Sequence, residues 1–513
     1  MDTSVSPTET HTLAYDASYR LQSETQASRG TVTHAYNADD TVASYTVQSG
    51  PTATYTYYPD GSLDTIAWSP VAGSFKYRYT LPGQYQSITF PNNQTRNFTY
   101  DDQGRLTQLT NLVSGGGNLA TYAYGYDLNY TTGQYTMLGQ RVSLTATVPS
   151  QGLNNHLFKY EYDSLYELNK VTYPNVTPFN AEVDSWTYDA IGNRLTNTVN
   201  GVTANYTYQK IGSNPNNWQR LTSDGTNSYT YDANGNTATK TGLTFGWSAD
   251  DRMASISGSA TAGYVYDYQG RRSSKTVSGA ASGYFYDGLN LVQEQGATPA
   301  DYLFGPGIDE PLAMSRGGQV YYYEPDALGS VAEVTNTSGA VQDSYLYDAW
   351  GQVKSQTGTL ANPFIYTARE TGEAGLEFYR ARFYQPSIGR FFTEDPKRRE
   401  AWRGESVEKY VYVENDPITG TDPLGLERIY CVVTRVMAKP VNRRCFYVGF
   451  CIGKTTGRKY LAAGVAELFH WVPGDPCPEC ARFCSYYSNS NTISNPDDWN
   501  CRPPMPIVSW DPN

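Results

Sequence analysis

The residue types best able to do chemistry lie in the last third of the chain. Arg382, in YRARFY, precedes three Asp-Pro pairs, at Asp395, Asp416 and Asp422. Taken alone, Asp-Pro pairs are turn formers, and a nearby arginine makes a surface ion pair. Beyond Leu426 the composition changes abruptly: all seven cysteines of the protein lie in residues 427–513. A segment that short buries little core and needs covalent or metal staples. Three chemistries fit. Disulfides suit an extracellular setting, with the odd count leaving one thiol free or paired to another chain. Zinc suits a reducing one: Cys477, Cys480 and Cys484 with His470 or Cys501 supply four ligands, although no second Cys-x2-Cys is present. A nucleophilic Cys working with His470 is the third, and no local signature selects the Cys. Gly449 to Thr455 imitates a phosphate loop but has one residue too few between its glycines. Residues 457–471, with Leu461, Val465, Leu468 and Phe469 on one side, predict a helix.

The elements that must position these residues are repeats. There are 46 Tyr against 17 Phe, and charged residues make up only 17% of the chain, so the polar balance comes from Thr, Ser, Asn, Gln and Gly. Strand formers alternate with turn formers, which makes the class mainly β. YDASYRL, YNADDTV, YYPDGSL, YTLPGQY and YDDQGRL begin at Tyr15, Tyr36, Tyr57, Tyr79 and Tyr100, a period of about 21 residues. Looser copies run on to Tyr347-Asp348. Aromatics two apart share one strand face; Asp then Gly makes a turn; Arg-Leu restarts a strand. One such hairpin is barely stable alone, so units must stack edge to edge. The tyrosines are therefore ladder residues rather than a chemical centre, and the Asn-x-Ser/Thr sites read as chance in an Asn/Thr-rich chain. The net charge of −12 divides into −15 on residues 1–426 and +3 on the tail, which argues against nucleic-acid binding by the repeat body. No apolar run is long enough to span a membrane. The opening, MDTSVSPTETHTLAYD, carries no secretory signal and reads as starting just before a repeat unit, with any shell then partial.

The Y-x-Y-D-x-x-G-R-L units resemble the YD repeats of the rearrangement-hotspot (Rhs) family. DALGSVAEVTNTSGAVQDSYLYDAWGQV (326–353) resembles its last repeats. TGEAGLEFYRARFYQPSIGRFFTEDP (371–396) and NDPITGTDPLGL (415–426) resemble its C-terminal core. The resemblance covers residues 1–426. It implies a spiralling antiparallel sheet forming a partial hollow shell over 1–353, a plug over 354–426, and a variable cysteine-rich domain, with one helix, over 427–513.

The resemblance also implies chemistry. In the family the core cuts its own chain in the manner of an aspartyl protease. Two carboxylates held close do not both ionise easily, so one keeps a proton and the other activates water. By motif these fall on Asp395 and Asp422, with Arg382 steadying a carboxylate or the oxyanion, and the scissile bond falls at Leu426–Glu427. Two features depart from the pattern: a long charged insert follows Asp395-Pro396, and Gln385 stands where an Asp is more usual. The expected function is a polymorphic toxin whose shell sequesters its tail and whose core frees it. A neutralising immunity protein, a secretion machine and a secreted or cell-surface destination follow from the family. No cofactor is expected apart from the zinc alternative. The rival is a non-enzymatic secreted or surface YD-repeat protein that contacts glycans and carries a disulfide-stapled tip.

Overall fold

The computed structural model describes residues 10–27, 29–80, 84–126, 139–209, 219–396 and 409–426 in full, and the backbone of strands over 2–5, 429–441, 444–453 and 459–466. Each repeat is built as its residue types require. In YDDQGRL, Asp101 Oδ1 accepts the amides of Gln103 and Arg105, both at 2.9 Å. Its Oδ2 accepts Arg105 Nε at 2.7 Å. Gly104 turns the chain at φ +78°, a backbone state that penalises any Cβ. The same turn recurs at Asp267, where Arg271 Nε again lies 2.7 Å from the carboxylate. The tyrosine that opens the turn uses its hydroxyl in several units. Tyr36 donates to Leu21 O at 2.8 Å, Tyr188 to Leu168 O at 2.6 Å and Tyr266 to Met253 O at 2.7 Å. Each bond reaches back to the unit before, a tie that Phe could not make. A bulge sits at the same tyrosine in unit after unit, as at Tyr36, Tyr57 and Tyr100, and bends the sheet.

Successive strands pair antiparallel into two long sheets, one of eighteen strands from Asp2–Val5 to Val202–Asn205 and one of fourteen from Tyr229–Tyr231 to Val353–Thr357. A two-stranded pair, Thr207–Tyr208 with Leu221–Ser223, lies between them. The second sheet lies along the first. Arg96 Nη2 donates to Tyr323 O at 2.7 Å, Asn111 Nδ2 to Pro325 O at 3.1 Å and the Ala349 amide to Tyr173 Oη at 3.0 Å. Trp186 meets Trp350 edge to face at 5.7 Å. Large apolar clusters combine residues of both sheets, such as Ile66, Phe75 and Ile88 with Leu303, Leu312 and Tyr322. The expected mainly β class and YD-repeat sheet are present. Among the described residues no helix is long and apolar enough to cross a membrane.

In the tail the backbone differs from expectation. Residues 457–471 were expected to be helical, but Lys459–Ala466 is a strand, antiparallel to Arg444–Gly453. A short apolar run is ambiguous between the two periods, and here pairing with a neighbouring strand decides it against local propensity. Residues 467–471 of the expected helix lie outside the described residues.

Candidate functional site

The core segment folds into a small sheet of four short strands, Glu370–Thr371, Glu377–Tyr379, Arg382–Gln385 and Arg390–Phe391. It sits on the repeats through aromatic contacts: Phe392 packs on Phe245 at 5.1 Å and Phe383 on Tyr264 at 5.3 Å. Polar ties add direction. Arg272 pairs with Glu370 at 2.5 Å, Tyr384 Oη donates to Trp350 O at 2.8 Å, and Asn415 Nδ2 donates to Glu167 Oε1 at 2.7 Å. Glu377, buried beside Tyr379, is held well above the usual carboxylate range by burial, with the Tyr379 hydroxyl and Arg369 opposing the effect.

Arg382 starts the third strand, opposite Tyr379 across a two-residue turn, Arg380-Ala381. Its guanidinium lies over the Phe391 ring at 3.6 Å and is buried. Both predicted carboxylates reach it. Asp422 Oδ2 is 3.2 Å and Asp395 Oδ2 3.8 Å from the same nitrogen, Nη2. All three side chains are at most 2% exposed. Asp395 is placed by its amide, which donates to Lys409 O at 2.8 Å, and Arg382 Nη1 donates to that same carbonyl at 3.3 Å. The charged insert between them, 397–408, lies outside the described residues. Tyr412 closes the site; burial raises its phenol, with the Asp422 charge adding to the effect, so it stays protonated.

Asp422-Pro-Leu-Gly-Leu426 is the repeat turn used once more. The Leu426 amide donates to Asp422 Oδ1 at 2.9 Å, as Arg105 does to Asp101, and Gly425 turns the chain at φ +65°. In a repeat, the arginine four residues after the Asp also binds the other carboxylate oxygen. Here that position is Leu426, and Arg382 brings the guanidinium from a distant strand. The turn is thus opened to an outside cation, and its last described residue, Leu426, abuts the predicted bond. Arg382, Asp395 and Asp422 are brought together as their motifs imply. Asp416 is buried nearby, its backbone closing the Val413–Gly420 turns. Gln385 is buried in the same sheet. Glu427 and the zinc candidates Cys477, Cys480, Cys484 and His470 lie outside the described residues.

Sequence reasoning missed Asp309. It sits in a loop of the second sheet, accepting Arg369 Nη1 at 2.5 Å and Arg380 Nη2 at 2.6 Å. Nothing in GIDEP marks it beyond an ordinary turn acid. Arg380 stood within a quoted motif, but its role needed the fold.

The family model for the teneurin YD-shell matches residues 131–418, more than half of the chain. The chain belongs to the YD-shell family. Among curated relatives of this YD-shell protein, the tRNA3(Ser)-specific nuclease WapA of Bacillus spizizenii is 28% identical over 69% of this chain and 15% of its own length. The double-stranded DNA deaminase toxin A of Burkholderia cenocepacia is 27% identical over 49% of this chain and 20% of its own. The YD-shell chain therefore spans a fifth or less of these relatives. Among solved structures, the TcdB2-TccC3-Cdc42 crystal structure superposes with a TM-score of 0.67 at 18% identity, covering 82% of this chain and 24% of that one, which shows the shared fold.

Proposed function

We propose that this YD-shell and its plug enclose the residues beyond Leu426, and that Arg382, Asp395 and Asp422 release them by hydrolysing the Leu426–Glu427 bond. One observation carries the reading: two buried carboxylates meet at one guanidinium nitrogen while one of them also holds the Leu426 amide. In the reaction, water adds to the Leu426 carbonyl carbon and gives its proton to the ionised carboxylate. The protonated partner and Arg382 support the developing oxyanion. The C–N bond then breaks, the proton passes to the Glu427 nitrogen, and a new carboxylate is left on Leu426.

The toxin names of relatives support reading the freed tail as an effector, delivered outside its producer by an export machine and neutralised at home by a cognate partner. Cys431 and Cys451 are register partners on adjacent tail strands. Facing Cα atoms in such a pair stand at about disulfide-compatible spacing. That placement supports a disulfide between these two and leaves the zinc alternative, on Cys477, Cys480, Cys484 and His470, as a separate proposal.

Intact-mass measurement of the purified full-length chain tests the cut. Two fragments divided at Leu426–Glu427, replaced by one uncut species in Asp395→Asn, are expected. A single uncut wild-type species sinks the proposal. Expressing residues 427–513 alone in a bacterial cytosol tests the effector reading: growth arrest is expected, and a harmless tail favours the surface-protein rival.

A further inference from the structure

We propose that the turn Tyr379–Arg382 is a cradle that binds residues 423–425 as substrate and so sets the bond that is cut, with Arg380 as a positioning residue. The inference rests on the autocleavage reading above and adds what determines its register.

Three consecutive groups of the turn engage three consecutive carbonyls of the chain leading to the bond. Arg380 Nη1 donates to Pro423 O. The Ala381 amide donates to Leu424 O at 3.2 Å. Arg382 Nε donates to Gly425 O. A one-to-one match of this kind pins the Asp422–Leu426 turn at three successive carbonyls, two held by arginine side chains and one by a backbone amide, and leaves Leu426 as the next residue. The bond after it is presented to Asp395 and Asp422, because Arg382 binds both these acids and the cradle's last carbonyl.

Two further features shape the cradle. Gly425 runs so close to the turn that a Cβ there would collide with Tyr379 O and meet Arg382 N at 3.1 Å. Only glycine lets the chain lie that deep. Arg380 itself sits at φ +54°, the backbone state that a tight two-residue hairpin turn uses at its first position. Asp309 holds it, accepting Nη1 at 3.1 Å and Nη2 at 2.6 Å. A loop of the second sheet thereby orients an arginine of the plug onto the substrate carbonyl. Cutting is thus coupled to the plug being seated on the repeats, because the Asp309 contact exists only in that arrangement.

The test follows cleavage during in vitro translation of the full chain, read by intact mass, for wild type, Arg380→Ala, Asp309→Asn and Gly425→Ala. The same changes are made in an Asp395→Asn background, where hydrogen exchange reports the amides of 379–383 and 423–426. Arg380→Ala and Asp309→Asn should slow cleavage at least about tenfold and spread the cut over neighbouring bonds. Arg380→Lys should keep the site and recover part of the rate. In the uncut background, Arg380→Ala and Gly425→Ala should speed exchange of the Ala381 and Leu426 amides about tenfold or more. A spread of cut positions is a readout that general destabilisation would not produce. An uncut wild type overturns the autocleavage reading. A wild type that cuts, with rate, position and exchange untouched by Arg380→Ala and Gly425→Ala, overturns the cradle alone.

Discussion

Arg382 concentrates three tasks in one side chain. It contacts two buried acids, stacks on Phe391 and holds Gly425 O. Its planar fork is what allows this; a lysine ammonium has three donors but neither the fixed fork nor the flat face that stacks on a ring. Replacing it with Ala leaves the buried acid pair without its cation, which costs about 3–5 kcal/mol. Arg382→Ala should therefore lower the urea midpoint of the chain and abolish cutting together. Arg382→Lys should restore most of the stability and little of the cleavage. Equal recovery of both in the lysine variant would show that the charge alone suffices and that the fork has no separate role.

At the scale of the element, the repeat unit is a hairpin tied to its predecessor by one phenol. Tyr188 donates to Leu168 O at 2.6 Å, and the Asp189 that follows caps Ile191 and Asn193 at 3.0 and 2.9 Å. Tyr188→Phe keeps the ring and removes the bond, leaving a carbonyl unpaired, and should cost about 0.5–1.5 kcal/mol in urea unfolding. Asp189→Ala strips the turn of its caps and should cost more, about 1–3 kcal/mol. If the phenylalanine variant unfolds at the wild-type midpoint, the hydroxyl does not tie the units.

Across the whole molecule, the seam between the two sheets holds a pair of acids that pattern reading passed over. Glu324 and Glu333 are register partners on adjacent strands, both buried. Arg96 lies 3.6 Å from Glu324, Gln94 Nε2 donates to it at 3.4 Å, and Ser150 donates to Glu333; Tyr122 lines the same space. Burial pushes Glu324 up to about 8, with Glu333 adding to the effect and Arg96 opposing it. Burial likewise pushes Glu333 up to about 7. An acid raised on folding stabilises the folded chain fully below its unfolded value, 4.5, and loses that contribution as pH rises through 7 and 8. The seam should therefore weaken from mildly acidic to mildly basic solution. Glu324→Gln with Glu333→Gln should raise the urea midpoint at about pH 8.5, and the gap to wild type should close near about pH 5. Parallel curves for variant and wild type across that range would remove these acids from the pH response.

The repeat was legible because its signals are local. Tyr, Asp, Gly and Arg at fixed offsets dictate strand, turn and restart within one unit, and the stacking of units follows from the inability of a lone hairpin to bury its face. The three core residues were legible only through motif resemblance; Asp-Pro pairs in isolation look like ordinary turns. The expected tail helix failed because its apolar run had no local feature to resist pairing with the strand beside it. What the tertiary structure alone decided is which distant groups meet. The Asp309 latch on Arg380, the shared guanidinium at Arg382 and the facing pair Glu324 and Glu333 across the seam from Arg96 join residues far apart in the chain. Composition and period set how each strand bends and pairs. They carry no term for the angle at which one turn of the spiral lands on the previous one, and that angle determines which side chains become neighbours.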